Sequence, residues 1–176
     1  MASRLGLTPL GFEEPIVLLT AVHFHYAGFA ACLIAGAAAL ALKQVPATAN
    51  VALRLVLAGV LLGPGSLAVG FIVGPVVKLL AALWLALSLF GLSLLQLLFL
   101  GSVRLRPAQA LFAVAGASSC VAMVLAVVWA VGEYPLQPFF NLPQMALVHG
   151  TLNAFGFCLG GLLTGPVRRE LPCVLP

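Results

Sequence analysis

Two of the three histidines in this chain, His23 and His25, sit with Tyr26 in the segment Thr20-Ala21-Val22-His23-Phe24-His25-Tyr26-Ala27-Gly28-Phe29. The segment lies inside an apolar run long enough to cross a membrane. The third histidine, His149, lies in another apolar run, with Asn153 one helical turn later. Titratable groups are costly in hydrocarbon, so such residues mark a functional site by default. Imidazole is the side chain best suited to take or give a proton near neutral pH. His23, His25 and His149 are therefore the proton-transfer candidates. Asn153 and Tyr26 can orient or polarise an oxygen. Glu14 or Glu133 could serve as an acid if the helix ends fold inward, and Thr20 and Ser66 are candidate substrate contacts. The plainer alternative is a set of hydrogen-bonded histidines that fasten helices together.

The elements that position these groups follow from composition. The chain has 176 residues, 63% of them hydrophobic and only 7% charged. A soluble domain carries about 25% charged residues, so the expectation is an all-α, polytopic membrane bundle forming a single domain over 1–176. The net charge of +4 is scattered, with no basic–aromatic module, and a nucleic-acid partner is not expected. A spanning helix needs about 20 apolar residues. Five spans are predicted, at about 16–42, 52–73, 76–100, 108–131 and 143–165. The second carries Gly63-Pro64-Gly65-Ser66 and is expected to break there, because proline lacks the N–H that an inner turn requires; the plainer alternative is a packing kink and the sharper one a broken helix that lines a cavity. The first fifteen residues lack a signal-peptide pattern, so the first span is expected to act as its own targeting signal. Cys32, Cys120 and Cys158 are read as small apolar residues within spans; Cys173 follows the last span. Ser88, Ser93, Gln96, Ser118 and Ser119 are expected to bond between helices. Trp129 and Tyr134 fit an interfacial belt.

Lysine and arginine set the orientation. Arg4 and Lys78 fall on one side of the five spans; Lys43, Arg54, Arg104, Arg106, Arg168 and Arg169 fall on the other. This predicts a cell-membrane protein with its N-terminus outside and its C-terminus in the cytoplasm. A rise of about 1.5 Å per residue puts His23 and His25 about 12–15 Å below the outer face. It puts His149 at about 9 Å, Asn153 at about 15 Å and Ser66 at about 10 Å. These groups share a layer. Thr20, His23 and Tyr26 lie on one helical face, whereas His25 is turned about 200° from His23. His149 and Asn153 share a face that Gly156 and Gly160 continue. The first and fifth helices are expected to pack there, with His23 or His25 near His149 and Asn153.

Two motifs give the chain a resemblance. Leu18-Leu19-Thr20-Ala21-Val22-His23-Phe24-His25-Tyr26-Ala27-Gly28-Phe29 and His149-Gly150-Thr151-Leu152-Asn153-Ala154-Phe155-Gly156-Phe157 resemble the YndJ-like family of bacterial membrane proteins. Gly132-Glu133-Tyr134 and Gly63-Pro64 also look like that family's pattern, so the resemblance covers nearly the whole chain. It implies a multi-pass membrane fold and, from the label many members carry, transport. Longer members look to hold additional upstream membrane sequence, and this chain is expected to be a compact version.

Three functions compete. The first is an intramembrane acid–base enzyme, of isomerase or cyclase type, acting on a lipophilic small molecule that arrives through the lipid bilayer. The second is a small-molecule transporter or exporter, for which a broken second helix and a mid-membrane polar layer speak. Five spans do not divide into two equal repeats, so this reading calls for a homo-oligomer. The third is haem or metal ligation, since histidines on facing helices can supply axial ligands. His-x-His on a helix diverges, unlike the i,i+4 spacing of helical zinc ligands, so no cofactor is the leading expectation.

Overall fold

A computed structural model describes residues 5–41, 47–98, 100–102, 106–135, 137 and 139–168. All regular structure among them is helical. Five helices are long and apolar enough to cross a membrane, and the chain is a multi-pass membrane protein. Helix α1 comprises Ile16–His25, a π-helical segment Tyr26–Ala30, and Ala31–Ala41. Helix α2 is Ala47–Val73, α3 is Pro75–Leu98 and α4 is Arg106–Glu133. Helix α5 comprises Leu142–Thr151, a π-helical segment Leu152–Leu159, and Gly160–Arg168. Arg4, Lys43, Arg104, Arg169 and Cys173 lie outside the described residues.

Consecutive helices pack as neighbours, and α5 returns to touch α1. Short connections explain the order, since they leave successive helices antiparallel. The α2–α3 turn is the tightest. Gly74 adopts a φ of 145°, open to glycine and rarely to other residues. Just before it, a methyl group added to Gly70 would lie 2.6 Å from the Lys78 Cα, so the backbones there are in direct contact. The start of α5 is set by a capping box: Asn141 Oδ1 accepts from the Gln144 N–H at 2.9 Å, and Gln144 Oε1 accepts from the Asn141 N–H at 3.0 Å. Trp129 Nε1 donates to the Phe140 carbonyl at 3.2 Å and ties this turn to α4.

The core draws on every helix. Ile34, Val60, Leu85, Leu92, Ala122 and Phe157 belong to one buried cluster. Small residues bring the helices close: Gly63 lies against Leu85, Gly116 against Leu97, and Gly156 against Ser118. The expectation that Gly156 and Gly160 face α1 is corrected here. Both face α4, where Gly160 meets Leu111 and Ala115, and it is Gly161 that meets Ile34 of α1. α5 follows α4 through a short turn, so its small-residue side is taken by that antiparallel neighbour.

The expected break in the second span is also corrected. Helix α2 continues through Gly63-Pro64-Gly65. Proline 64 has no N–H, so the carbonyl of Val60, fully buried, loses its usual donor. Cys32 of α1 takes that place, its single S–H shared between the Val60 oxygen at 3.8 Å and the Ala27 oxygen of the π-helical segment at 3.9 Å. A freed carbonyl in a membrane needs a protein donor, and a neighbouring thiol supplies it without opening the helix. Replacing Cys32 by alanine should destabilise the bundle by about 1 kcal/mol. Pro64→Ala, which restores the N–H, should make the same change nearly neutral. A double-mutant cycle on thermal unfolding in detergent checks this; equal costs in both backgrounds would break the link between the thiol and the proline.

Ser88 and Ser93 behave differently from the interhelical role expected of them. Ser88 donates to the Trp84 carbonyl and Ser93 to the Leu89 carbonyl, each one turn back on its own helix. A short hydroxyl reaches its own i−4 carbonyl more readily than a neighbour's. Among the described residues, Gln96 and Ser119 have buried polar atoms with no hydrogen-bond partner.

Candidate functional site

The site is built where the two π-helical segments meet. They pack against each other across the α1–α5 interface. Each begins just after a histidine-bearing stretch: His25 precedes Tyr26–Ala30, and Thr151 precedes Leu152–Leu159. In a π-helical turn the backbone bonds run from i to i+5, as in the Ala31 N–H to the Tyr26 carbonyl. Such turns are rare and cluster at functional sites, because they widen the helix and redirect side chains.

His149 is held on both ring nitrogens. Nδ1 lies 2.9 Å from the Ala122 carbonyl oxygen on α4. A carbonyl only accepts, so Nδ1 carries the proton and donates. Nε2 is then the acceptor, and Asn153 Nδ2 donates to it at 3.2 Å. The second hydrogen of the same amide goes to the His149 carbonyl at 2.8 Å. The i,i+4 spacing makes this possible, since both side chains stand over one turn. Two hydrogens on one amide therefore fix the orientation of a neutral imidazole.

His23 is the opposite case. Its Nε2 is buried and has no hydrogen-bond partner among the described residues. It lies within electrostatic reach of His149. Its ring stands edge-on to Phe24, with centroids 6.0 Å apart. His149 and Asn153 are thus bonded to each other on α5, and His23 stands on α1, the helix that packs against it.

The other candidates lie elsewhere. His25 is exposed on α1, with Nδ1 donating to the Ala21 carbonyl of its own helix at 2.8 Å. Tyr26 is also exposed, and Thr20 is half-buried on α1. Ser66 donates to the Leu62 carbonyl at 3.0 Å. Glu14 is exposed just before α1. Glu133 is paired with Lys78 at 2.9 Å. Lys78 Nζ also lies 5.3 Å from the Phe71 ring centroid, Phe71 packs edge-on against Phe12, and a cavity of about 220 Å³ lies beside the pair between α3 and α4. Among the described residues no three of the His, Cys and Glu side chains come together as metal ligands.

Sequence reasoning missed two contributors. The Ala122 carbonyl carries no side-chain signal at all. The thiol of Cys32 could have been sought by asking which group serves Val60, the residue four before Pro64.

The fold defines a polytopic α-helical membrane protein. The model of the YndJ-like protein family matches residues 1–157, and the chain belongs to that family. No curated protein and no solved structure matches it.

Proposed function

We propose that the chain is an intramembrane acid–base enzyme, of isomerase or cyclase type, whose substrate is a lipophilic small molecule reached from the bilayer. The observation that carries this reading is the contrast between the two histidines. The nitrogens of His149 are both engaged, whereas His23 Nε2 is buried and has no hydrogen-bond partner among the described residues. A buried polar atom without a partner costs about 1–3 kcal/mol and calls for an explanation, of which a catalytic role is one; of the atoms so placed among the described residues, His23 Nε2 is the one that titrates near neutral pH on an ordinary imidazole. His23 is the proton carrier; its Nε2 takes a proton from the substrate at one position and returns it at another. His149 and Asn153 form the fixed polar wall beside it. An isomerisation or cyclisation of this kind consumes no second substrate. The transport reading drew on a broken second helix, and α2 is continuous.

The lysine and arginine distribution supports an orientation with the N-terminus outside the cell membrane and the C-terminus in the cytoplasm. A C-terminal reporter fluorescent only in the cytoplasm should light up; a dark but correctly inserted fusion reverses the orientation.

The function is tested with the full chain solubilised in detergent and incubated with lipid extract from host cells. Conversion of one extract component is expected, without any sealed compartment. A component that instead redistributes across sealed vesicles, chemically unchanged, makes the protein a transporter. No conversion in detergent or in open membranes removes the enzyme reading.

A further inference from the structure

Helix α1 is the least covered of the five, with 17% of its span buried against 39% for α3. Its uncovered side is not plain hydrocarbon surface. Leu18, Val22, His25, Tyr26, Phe29 and Leu33 are all exposed. Counting about 1.5 Å per residue from Ile16, His25 and Tyr26 sit near the middle of a hydrocarbon layer about 30 Å thick. Lipid tails offer a mid-membrane imidazole or phenol no hydrogen bond, and leaving such groups unpaired costs several kcal/mol. Tyrosine facing lipid belongs at the interface, not at this depth.

The same side carries Gly28 and Gly36, both exposed, and neither would meet any atom within 4 Å if given a methyl group. Elsewhere in the bundle Gly59, Gly63, Gly70, Gly116 and Gly156 let a neighbouring helix approach closely. Among the described residues Gly28 and Gly36 have no such neighbour.

The hydrogen-bonding roles are self-complementary. His25 Nδ1 donates to the Ala21 carbonyl, so it holds the proton and Nε2 is left as an acceptor. The Tyr26 hydroxyl can donate. Two copies inserted in the same direction and related by a two-fold axis along the membrane normal present the same patch to each other.

We propose that a second copy of this chain packs along the exposed side of α1, with Tyr26 of each copy donating to His25 Nε2 of the other and Gly28 and Gly36 allowing the helices to approach. His25 is then an assembly residue, and the site at His23 and His149 lies behind the dimer interface in each copy. Polar side chains are an established means of joining helices in membranes.

Photo-cross-linking in native membranes tests this. A benzophenone-bearing amino acid at Phe29 should give a cross-linked band of twice the chain mass. The same group at Leu87, exposed on α3, should not. Single-molecule photobleaching of the full chain in liposomes should show two-step traces, and His25→Leu with Tyr26→Phe should weaken dimerisation at least tenfold. Thermal unfolding of the double variant should stay close to that of the wild-type monomer, which separates lost association from lost folding. Single-step traces at all protein-to-lipid ratios overturn the proposal. So does a Phe29 cross-link that captures only lipid, a small molecule or a different protein.

Discussion

Replacing His23 by leucine is expected to abolish activity while leaving the bundle as stable as before, or slightly more stable. The two effects separate because His23 Nε2 makes no hydrogen bond among the described residues. Nothing that holds the fold is lost with it, and an unpaired polar atom is taken out of the interior, which is neutral or favourable. If His23 is the proton carrier, the rate should fall by about 10²–10⁴-fold. His149→Leu should behave differently. It removes the donor to the Ala122 carbonyl and strands one hydrogen of the Asn153 amide, so it should lower stability by about 0.6–2 kcal/mol, the range for such bonds between membrane helices. Thermal unfolding in detergent, measured beside conversion of the extract component, reads both. A His23→Leu protein that unfolds as readily as His149→Leu would make His23 a structural fastener. An active His23→Leu protein would remove it from the chemistry.

The second large effect is expected at Gly156. In the π-helical part of α5 this glycine lies directly against the Ser118 side chain of α4. The methyl group of Gly156→Ala would overlap Ser118 Cβ and Oγ. The hydroxyl can rotate away, but Cβ moves only with the α4 backbone, so α5 must shift outward. Overpacking of this kind costs about 1–3 kcal/mol. The shift is also felt at the site, because His149 reaches Ala122 on the same pair of helices. Gly156→Ala should therefore lower both the unfolding temperature and the activity. Ser118→Gly, which removes the colliding atoms, should restore most of both. Failure of this rescue, with Gly156→Ala destabilised, would mean that the glycine is needed for its backbone and not for the space beside it.

Much of the fold was legible because its cause is local. Hydrocarbon thickness demands long apolar runs, and prolines, glycines and charges interrupt them. The five helices accordingly lie close to the spans expected, with α1 beginning at Ile16 and α5 ending near the expected 165. The pairing of His149 with Asn153 was readable for the same reason, since i,i+4 residues share a face on any helix. The divergence of His23 and His25 also followed from helical angles, and the structure buries the ring nitrogen of one and exposes the other.

Where the reading went astray, the deciding atoms lay on other helices. Pro64 was expected to break α2, because a proline's neighbours in sequence cannot replace its missing hydrogen bond. The replacement comes from Cys32, on a different span. Gly156 and Gly160 were assigned to α1, because glycine spacing shows that something approaches closely and not which helix it is. The π-helical segments were missed because an i to i+5 turn is held in place by tertiary packing more than by residue preference.

Sequence alone determined that this chain is a multi-pass membrane protein with five helices long and apolar enough to cross. This follows from the cost of placing charge and unpaired backbone in hydrocarbon, which each segment meets by itself. The tertiary structure decided which polar group is satisfied and which is left open. His149 finds the Ala122 carbonyl only because α5 folds back on α4, and His23 keeps a bare nitrogen only because no described neighbour offers it a partner. Hydrogen bonding across helices depends on distances of a few tenths of an ångström between distant parts of the chain, and no local pattern of residues encodes them.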